Sequence, residues 1–244
     1  MDTIKINRKN SKIIAHRGVC GLETENTAAA FIAAGNRSYY AIETDVQVTA
    51  DGEFVVMHDD TTGRLADVDL PIRKTDYSVL KDICLNDVLY GAEGTGEPRS
   101  DLRIPTLSEY IRICKKYEKK CVIELKGTFA PENVDRLLNI VEEEGYMQES
   151  IFLAWDMNAL IQIREKHPDR EIIVNITNFS DEVLENLKRY SFEISLRYDK
   201  VSKEIIDIIH SNGRKIYVWY ANTQEETQRV ADMGVDYIVS NIFE

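Results

Sequence analysis

The sequence has little that would brace it covalently. Its four cysteines, Cys20, Cys84, Cys114 and Cys121, form no CxxC pair. That removes the usual zinc spacing and leaves four reduced thiols as the expectation. Proline is scarce, five in 244 residues, and glycine numbers twelve, which excludes collagen-like and low-complexity chains. The apolar runs, such as IIA at 13–15 and FVVM at 54–57, fall far short of the ~20 residues that span a bilayer. The opening MDTIKINRKN has no apolar core of the signal-peptide kind. Positive charge is the minority: 30 Lys and Arg against 42 Asp and Glu, a net charge of −12. A basic footprint for nucleic acid and a polybasic face for membranes are both missing. The expectation is a cytoplasmic protein without nucleic-acid partners or stable membrane insertion. An anionic ligand would need a local cationic device against the overall field.

What is present is alternation. Short runs dense in Ile, Val and aromatics occur at 12–16, 40–46, 121–126, 151–155, 171–176, 192–197, 215–220 and 237–241, each bounded by polar or Gly signals. Helical patterns lie between them. In 106–120, Leu107, Tyr110, Ile111 and Cys114 share a face, and in 131–145 so do Val134, Leu137, Leu138 and Val141. Pro131 opens that second helix and Gly145 closes it. Ser180, Ser202 and Thr223 are N-cap residues for later helices. Eight strands alternating with helices predict an α/β chain folded as one (β/α)8 TIM barrel over residues 1–244. The step from the second strand at 40 to the third at 121 is too long. It holds a further β-like run at 52–60 and then an insertion at about 60–105, with a short helix expected within 75–85 and a flexible Gly-rich turn at 91–101. The chain stops shortly after the eighth strand, so the last helix is missing or replaced by N-terminal residues.

In this fold the chemistry sits at the C-terminal ends of the strands. Those ends carry His16 and Arg17, then Glu43 and Asp45, then His58 and Asp59, then Glu124 and Lys126. Side chains two apart share a face, so Glu43 pairs with Asp45 and Glu124 with Lys126. Each group alone has an ordinary reading as a salt-bridged strand residue or a packed histidine. Together, three carboxylates at one barrel mouth call for a cation, and oxygen ligands favour a hard divalent ion, Mg²⁺ or Ca²⁺. Arg and Lys beside such an ion suit a phosphate, and imidazole suits proton transfer near neutral pH. The combination reads as metal-assisted phosphoryl transfer. His167 and His210 sit at helix ends and read as surface or capping residues, and the GTG at 94–96 lacks the strand–loop–helix context of a phosphate loop.

The ordered segments IIAHRG (13–18), ENTAAAF (25–31), IETDVQVTADGEFVVMHDDT (42–61), IPTLSEYI (104–111), VIELKG (122–127), IYVWYAN (216–222) and GVDYIVSN (234–241) resemble the signatures of glycerophosphodiester phosphodiesterases over nearly the whole chain. The resemblance implies a TIM barrel with an insertion after the His-Asp motif. It implies a phosphoric diester hydrolase of phospholipid and glycerol metabolism that releases an alcohol and glycerol 3-phosphate from a small glycerophosphodiester. It further implies His16 and His58 as the general acid/base pair. Glu43, Asp45 and Glu124 become ligands of one divalent cation, and Arg17 and Lys126 phosphate contacts. Trp219 becomes a substrate wall, with barrel packing as its other reading, and Glu25 and Asn26 a support for the first loop. Three departures stand out: Tyr220 where the family commonly has Thr, Asn241 where it often has Asp, and an insertion, TTGRLADVDLPIRKTD, without the usual Gly-rich consensus. The alternatives are a lysophospholipase D or phospholipase-C-like enzyme acting on a lipid, or a catalytically silent binding protein on the same barrel. An aminohydrolase-type barrel is disfavoured, because Arg17 and Gly18 follow His16 where a second histidine belongs.

Overall fold

Alternation along a strand sorts side chains into two faces, and in this chain both faces are apolar, as a parallel sheet covered by helices requires. The computed structural model describes residues 2–87 and 99–244. Its strands are β1 (Lys12–Ala15), β2 (Ala41–Val48), β3 (Phe54–Val56), β4 (Lys120–Leu125), β5 (Ser150–Ala154), β6 (Ile172–Asn175), β7 (Glu193–Arg197), β8 (Ile216–Trp219) and β9 (Tyr237–Ser240). All but β3 are parallel, and β9 and β2 both pair with β1, which closes an eight-stranded barrel. The eight expected strands are these eight. The extra run at 52–60 supplies β3, which pairs antiparallel with β2, Val46 opposite Val56.

The helices are α1 (Ala28–Gly35), α2 (Tyr77–Leu80), α3 (Leu107–Lys116), α4 (Pro131–Glu143), α5 (Met157–Lys166), α6 (Asp181–Tyr190), α7 (Lys203–Ser211) and α8 (Gln224–Met233). Ser180, Ser202 and Thr223 cap α6, α7 and α8 as expected. Thr106 and Glu109 form a reciprocal capping box on α3, satisfying two otherwise orphaned backbone donors. The buried stripe of α4 is Val134, Leu137, Leu138 and Val141. These residues join the outward strand residues, such as Ile13, Ile123, Phe152 and Ile194, in one core between sheet and helices. Each such side chain contributes about 1.5–3 kcal/mol on full burial.

Inside the barrel, Ile14, Val122, Leu153, Ile173, Tyr217 and Val239 pack together. Two residues further along each strand, on the same face, come His16, Glu124, Trp155, Asn175, Trp219 and Asn241. The barrel is therefore apolar below and polar above, and the polar layer is the C-terminal mouth.

Three features complete the frame. Ile4 pairs with Phe243, and Ile6 N–H donates to Glu244 O, so an N-terminal segment lies against residues 242–244. After β3, a 3₁₀ turn (Ile72–Lys74) and α2 gather a satellite core in which Val55, Met57, Leu65, Ile72, Leu80 and Leu102 are buried. The turn expected at 91–101 falls, up to residue 98, outside the described residues. Among the described residues, no helix is long and apolar enough to cross a membrane.

Candidate active site

Register builds the acidic centre. Asp45 on β2 stands beside Glu124 on β4, and Glu43 lies two residues below Asp45 on the same face. Ligand oxygens of the three carboxylates lie within 4.8 Å of one another, and all three residues are buried. Two unit charges ~4 Å apart repel by about 4 kcal/mol at an effective dielectric of ~20. The protonation balance shows the strain. Burial, then Asp45 and Glu124, push Glu43 well above the carboxylate range. Burial and then Asp45 raise Glu124 to about 7. Asp45 moves the other way: burial opposes its ionisation, but Arg17 and Lys126 hold it below its ordinary value. Three buried carboxylates, two of them reluctant to ionise, fit a hard divalent cation with oxygen ligands.

Two cations rim this centre. Arg17 Nε is 3.1 Å from Asp45 Oδ2, and its Nη1 donates to Glu25 Oε1 at 2.7 Å. Its backbone N–H donates to Glu43 Oε2 at 2.8 Å. Arg17 takes a left-handed backbone with φ 53°. Gly18 follows at φ 76°, where a Cβ would meet the Ala30 carbonyl carbon at 2.6 Å, so only glycine lets the loop run this close to α1. Asn26 locks the same loop. Its Nδ2 donates to Asp45 Oδ2 at 2.9 Å, and its Oδ1 accepts from Thr44 Oγ1 at 2.9 Å. Lys126 Nζ lies 3.1 Å from Glu124 Oε1 and 3.4 Å from Asp45 Oδ1.

The two histidines have different partners. His16 Nδ1 lies 2.7 Å from Asn241 Oδ1, and Cys20 Sγ donates to that oxygen at 3.1 Å. Nδ1–H then donates to Asn241, which leaves Nε2 as an acceptor. Tyr220 packs on the His16 ring, centroids 4.5 Å apart. Burial, and then Arg17, lower His16 to about 4, so the ring is neutral at ordinary pH. His58 Nδ1 instead meets a carboxylate, Asp59 Oδ1, at 2.6 Å. Asp59 is held at about 2, first by its hydrogen bonds from Arg64. Gln47, fully buried, donates through Nε2 to the carbonyls of Met57 and Asp59 and fixes the backbone on both sides of His58.

Most of the expected site residues border a cavity of about 250 Å³ at the barrel mouth. His16, Arg17, Glu43, His58, Glu124 and Lys126 line one side, and Trp155, Trp219 and Tyr220 another. Asp45 does not line it but is buried in contact with Arg17 and Lys126. Every residue expected at the site is therefore brought to one place, Trp219 included. Trp155 meets Trp219 edge-on at 6.3 Å. Sequence reasoning missed Trp155, Asn175 and Ser195, which also line the cavity. They continue the inward series of β5, β6 and β7, so the alternation rule could have found them. His167 ends α5, 3.7 Å from Glu142, and His210 pairs with Asp236 at 2.8 Å on α7; neither lines this cavity.

The comparisons decide the family. The sequence signature of the glycerophosphoryl diester phosphodiesterase family matches residues 16–243. The chain belongs to this family. Bacillus subtilis YhdW, provisionally named a glycerophosphodiester phosphodiesterase, is 28% identical over 243 residues, which cover 94% of this chain and 93% of its own. The glycerophosphodiester phosphodiesterase of Caldanaerobacter subterraneus is 26% identical over 234 residues, with 94% and 93% covered. A phosphodiesterase of Oleispira antarctica, solved with its product sn-glycerol-3-phosphate, superposes with a TM-score of 0.86 at 23% identity, covering 98% of this chain and 96% of its own. As a member of the glycerophosphoryl diester phosphodiesterase family, the chain is a phosphoric diester hydrolase that cleaves glycerophosphodiesters. The family's divalent-metal dependence has its counterpart here in the carboxylate triad. The lipid-acting and catalytically silent alternatives are not favoured.

Proposed function

We propose that Glu43, Asp45 and Glu124 hold one divalent cation, Mg²⁺ or Ca²⁺, and that His16 and His58 divide the proton transfers of diester hydrolysis to an alcohol and glycerol 3-phosphate. The observation that carries this reading is the convergence of three carboxylates, two cations and two histidines at one mouth. When bound, the cation neutralises the triad and polarises the phosphate as a Lewis acid. Arg17 and Lys126 bind the diester's oxygens and oppose the charge that grows on them. His16 is neutral with Nε2 free to accept, which supports it as the base for the attacking hydroxyl, whether water or the neighbouring glycerol hydroxyl. His58, backed by the Asp59 carboxylate, delivers the proton to the departing alkoxide. Trp219, with Trp155 edge-on beside it, walls the substrate. The carboxylates, cations and histidines gathered on one side of a cavity of about 250 Å³ support a small diester. Cytoplasmic location belongs to the same proposal and rests on composition.

The test is glycerol 3-phosphate release by metal-stripped protein given Mg²⁺, Ca²⁺ or Mn²⁺. His16→Ala and His58→Ala should each lose about 10²–10⁴-fold in kcat with the fold intact. Near-full activity in either variant removes that residue from the mechanism.

A further inference from the structure

The insertion reaches the site through side chains that the mechanism above does not use, Arg64 foremost. Arg64 Nη1 and Nη2 donate to the two oxygens of Glu25 at 2.9 and 2.7 Å. On its other edge Nε donates to Asp59 Oδ2 at 2.5 Å, and Nη2 lies 3.2 Å from Asp59 Oδ1. Glu25 is the carboxylate that holds Arg17, and Asp59 is the carboxylate that holds His58. One planar guanidinium thus joins the loop after β1 to the end of β3. The links run unbroken from His58 through Asp59, Arg64 and Glu25 to Arg17, and from there to Asp45. A guanidinium can do this because it meets one carboxylate end-on, through Nη1 and Nη2, and another side-on, through Nε and Nη2. A lysine ammonium offers no such plane.

The backbone under Arg64 is held firmly. Thr62 N–H donates to Leu70 O at 3.1 Å, and Gly63 N–H to Asp69 Oδ1 at 3.0 Å. Leu65 and Ala66, next in the chain, are buried in the satellite core, and Leu65 O accepts from Asn86 N–H at 2.7 Å. Arg64 itself is half exposed, with 46% of its side chain accessible. An exposed arginine on a rigid turn, fully engaged by two carboxylates that each grip a site residue, is poorly explained as surface solvation.

We propose that Arg64 is a positioning residue: it holds Asp59 against His58 and Glu25 against Arg17, and so sets the proton donor relative to the phosphate contact. The proposal rests on the assignment of His58 as the donor to the leaving group. It gives the insertion a role in catalysis without contact with substrate.

The test is steady-state kinetics of the metal-loaded enzyme with Arg64→Gln, Arg64→Lys, Asp59→Asn and the Arg64→Gln/Asp59→Asn pair. Two diesters are compared, one with an alkyl leaving group and one with a p-nitrophenyl group, which departs without a proton. Arg64→Gln should lower kcat on the alkyl diester about tenfold with KM within about twofold, and should add less than about twofold to Asp59→Asn. Its loss should shrink on the p-nitrophenyl diester, and Arg64→Lys should fall between wild type and Arg64→Gln. Independent, multiplying losses in the double variant overturn the proposal, as does a loss confined to KM or to the melting temperature. His58→Ala on the same two diesters separates the two claims. An equal loss on both removes His58 as the proton donor, and the double variant then decides Arg64 alone.

Discussion

At the scale of single residues, the site works by giving similar groups unlike surroundings. His16 and His58 are both imidazoles lining one cavity. One faces a neutral amide and the other a carboxylate. A neutral partner orients the ring and favours its charged form only weakly, so burial with Arg17 nearby lowers His16 to about 4. Asn241→Asp places a carboxylate 2.7 Å from Nδ1, which favours the imidazolium and raises the pKa of His16. The acid limb of kcat/KM against pH should therefore move to higher pH in this variant, and a limb that stays in place would remove His16 as the base. The same-face pairing of Glu43 with Asp45 was legible in the sequence because it follows from strand alternation alone. Asn241 was legible as an unusual end to the last strand, but its partner was not: Cys20 and His16 reach it only when β9 closes against β1.

At the scale of elements, the eight barrel strands and most helices were legible because each is a short periodic run with its own start and stop signals. Two elements were less so. The α1 sequence AAAFIAAG is apolar on every side, so it carries no helical period to read. The insertion has little regular structure, and its stability comes from a small separate core. Leu80 is fully buried in that core. Leu80→Ala should cost about 2–5 kcal/mol of local stability, read as faster hydrogen exchange in residues 61–85 than in β4 or β5. Because the insertion carries Arg64 and also Arg73, whose Nη2 donates to Lys126 O at 2.6 Å, kcat should fall with it. Uniform loss of protection across barrel and insertion would show instead that the two unfold as one unit.

At the scale of the whole molecule, a chain with net charge −12 places Arg17 and Lys126 against the acid it buries at the barrel mouth. The cost of that acid appears in the linkage between pH and stability. Without metal, the folded-state pKa of Glu124 is raised, to about 7 from 4.5, by burial and then by Asp45. The folded state therefore holds more protons than the unfolded state between those values, and stability falls as pH rises through that window, by up to about 3 kcal/mol from this group. Glu43 adds to the loss in the same direction, and Asp45 opposes it. Glu124→Gln should make the stripped protein melt higher at pH 8 than wild type and should flatten the pH dependence. An unchanged profile would mean that the triad does not store this repulsion.

The central claim, that three carboxylates hold one ion on which hydrolysis depends, is tested most directly by titrating a divalent metal into the stripped protein while following melting temperature and glycerol 3-phosphate release together. The expected result is one ion bound per chain, a shared midpoint for both signals, a gain of about 2.7 kcal/mol in stability at a hundredfold excess over Kd, and loss of both responses in Asp45→Asn. Full activity in chelator, or an unchanged midpoint in Asp45→Asn, would contradict it.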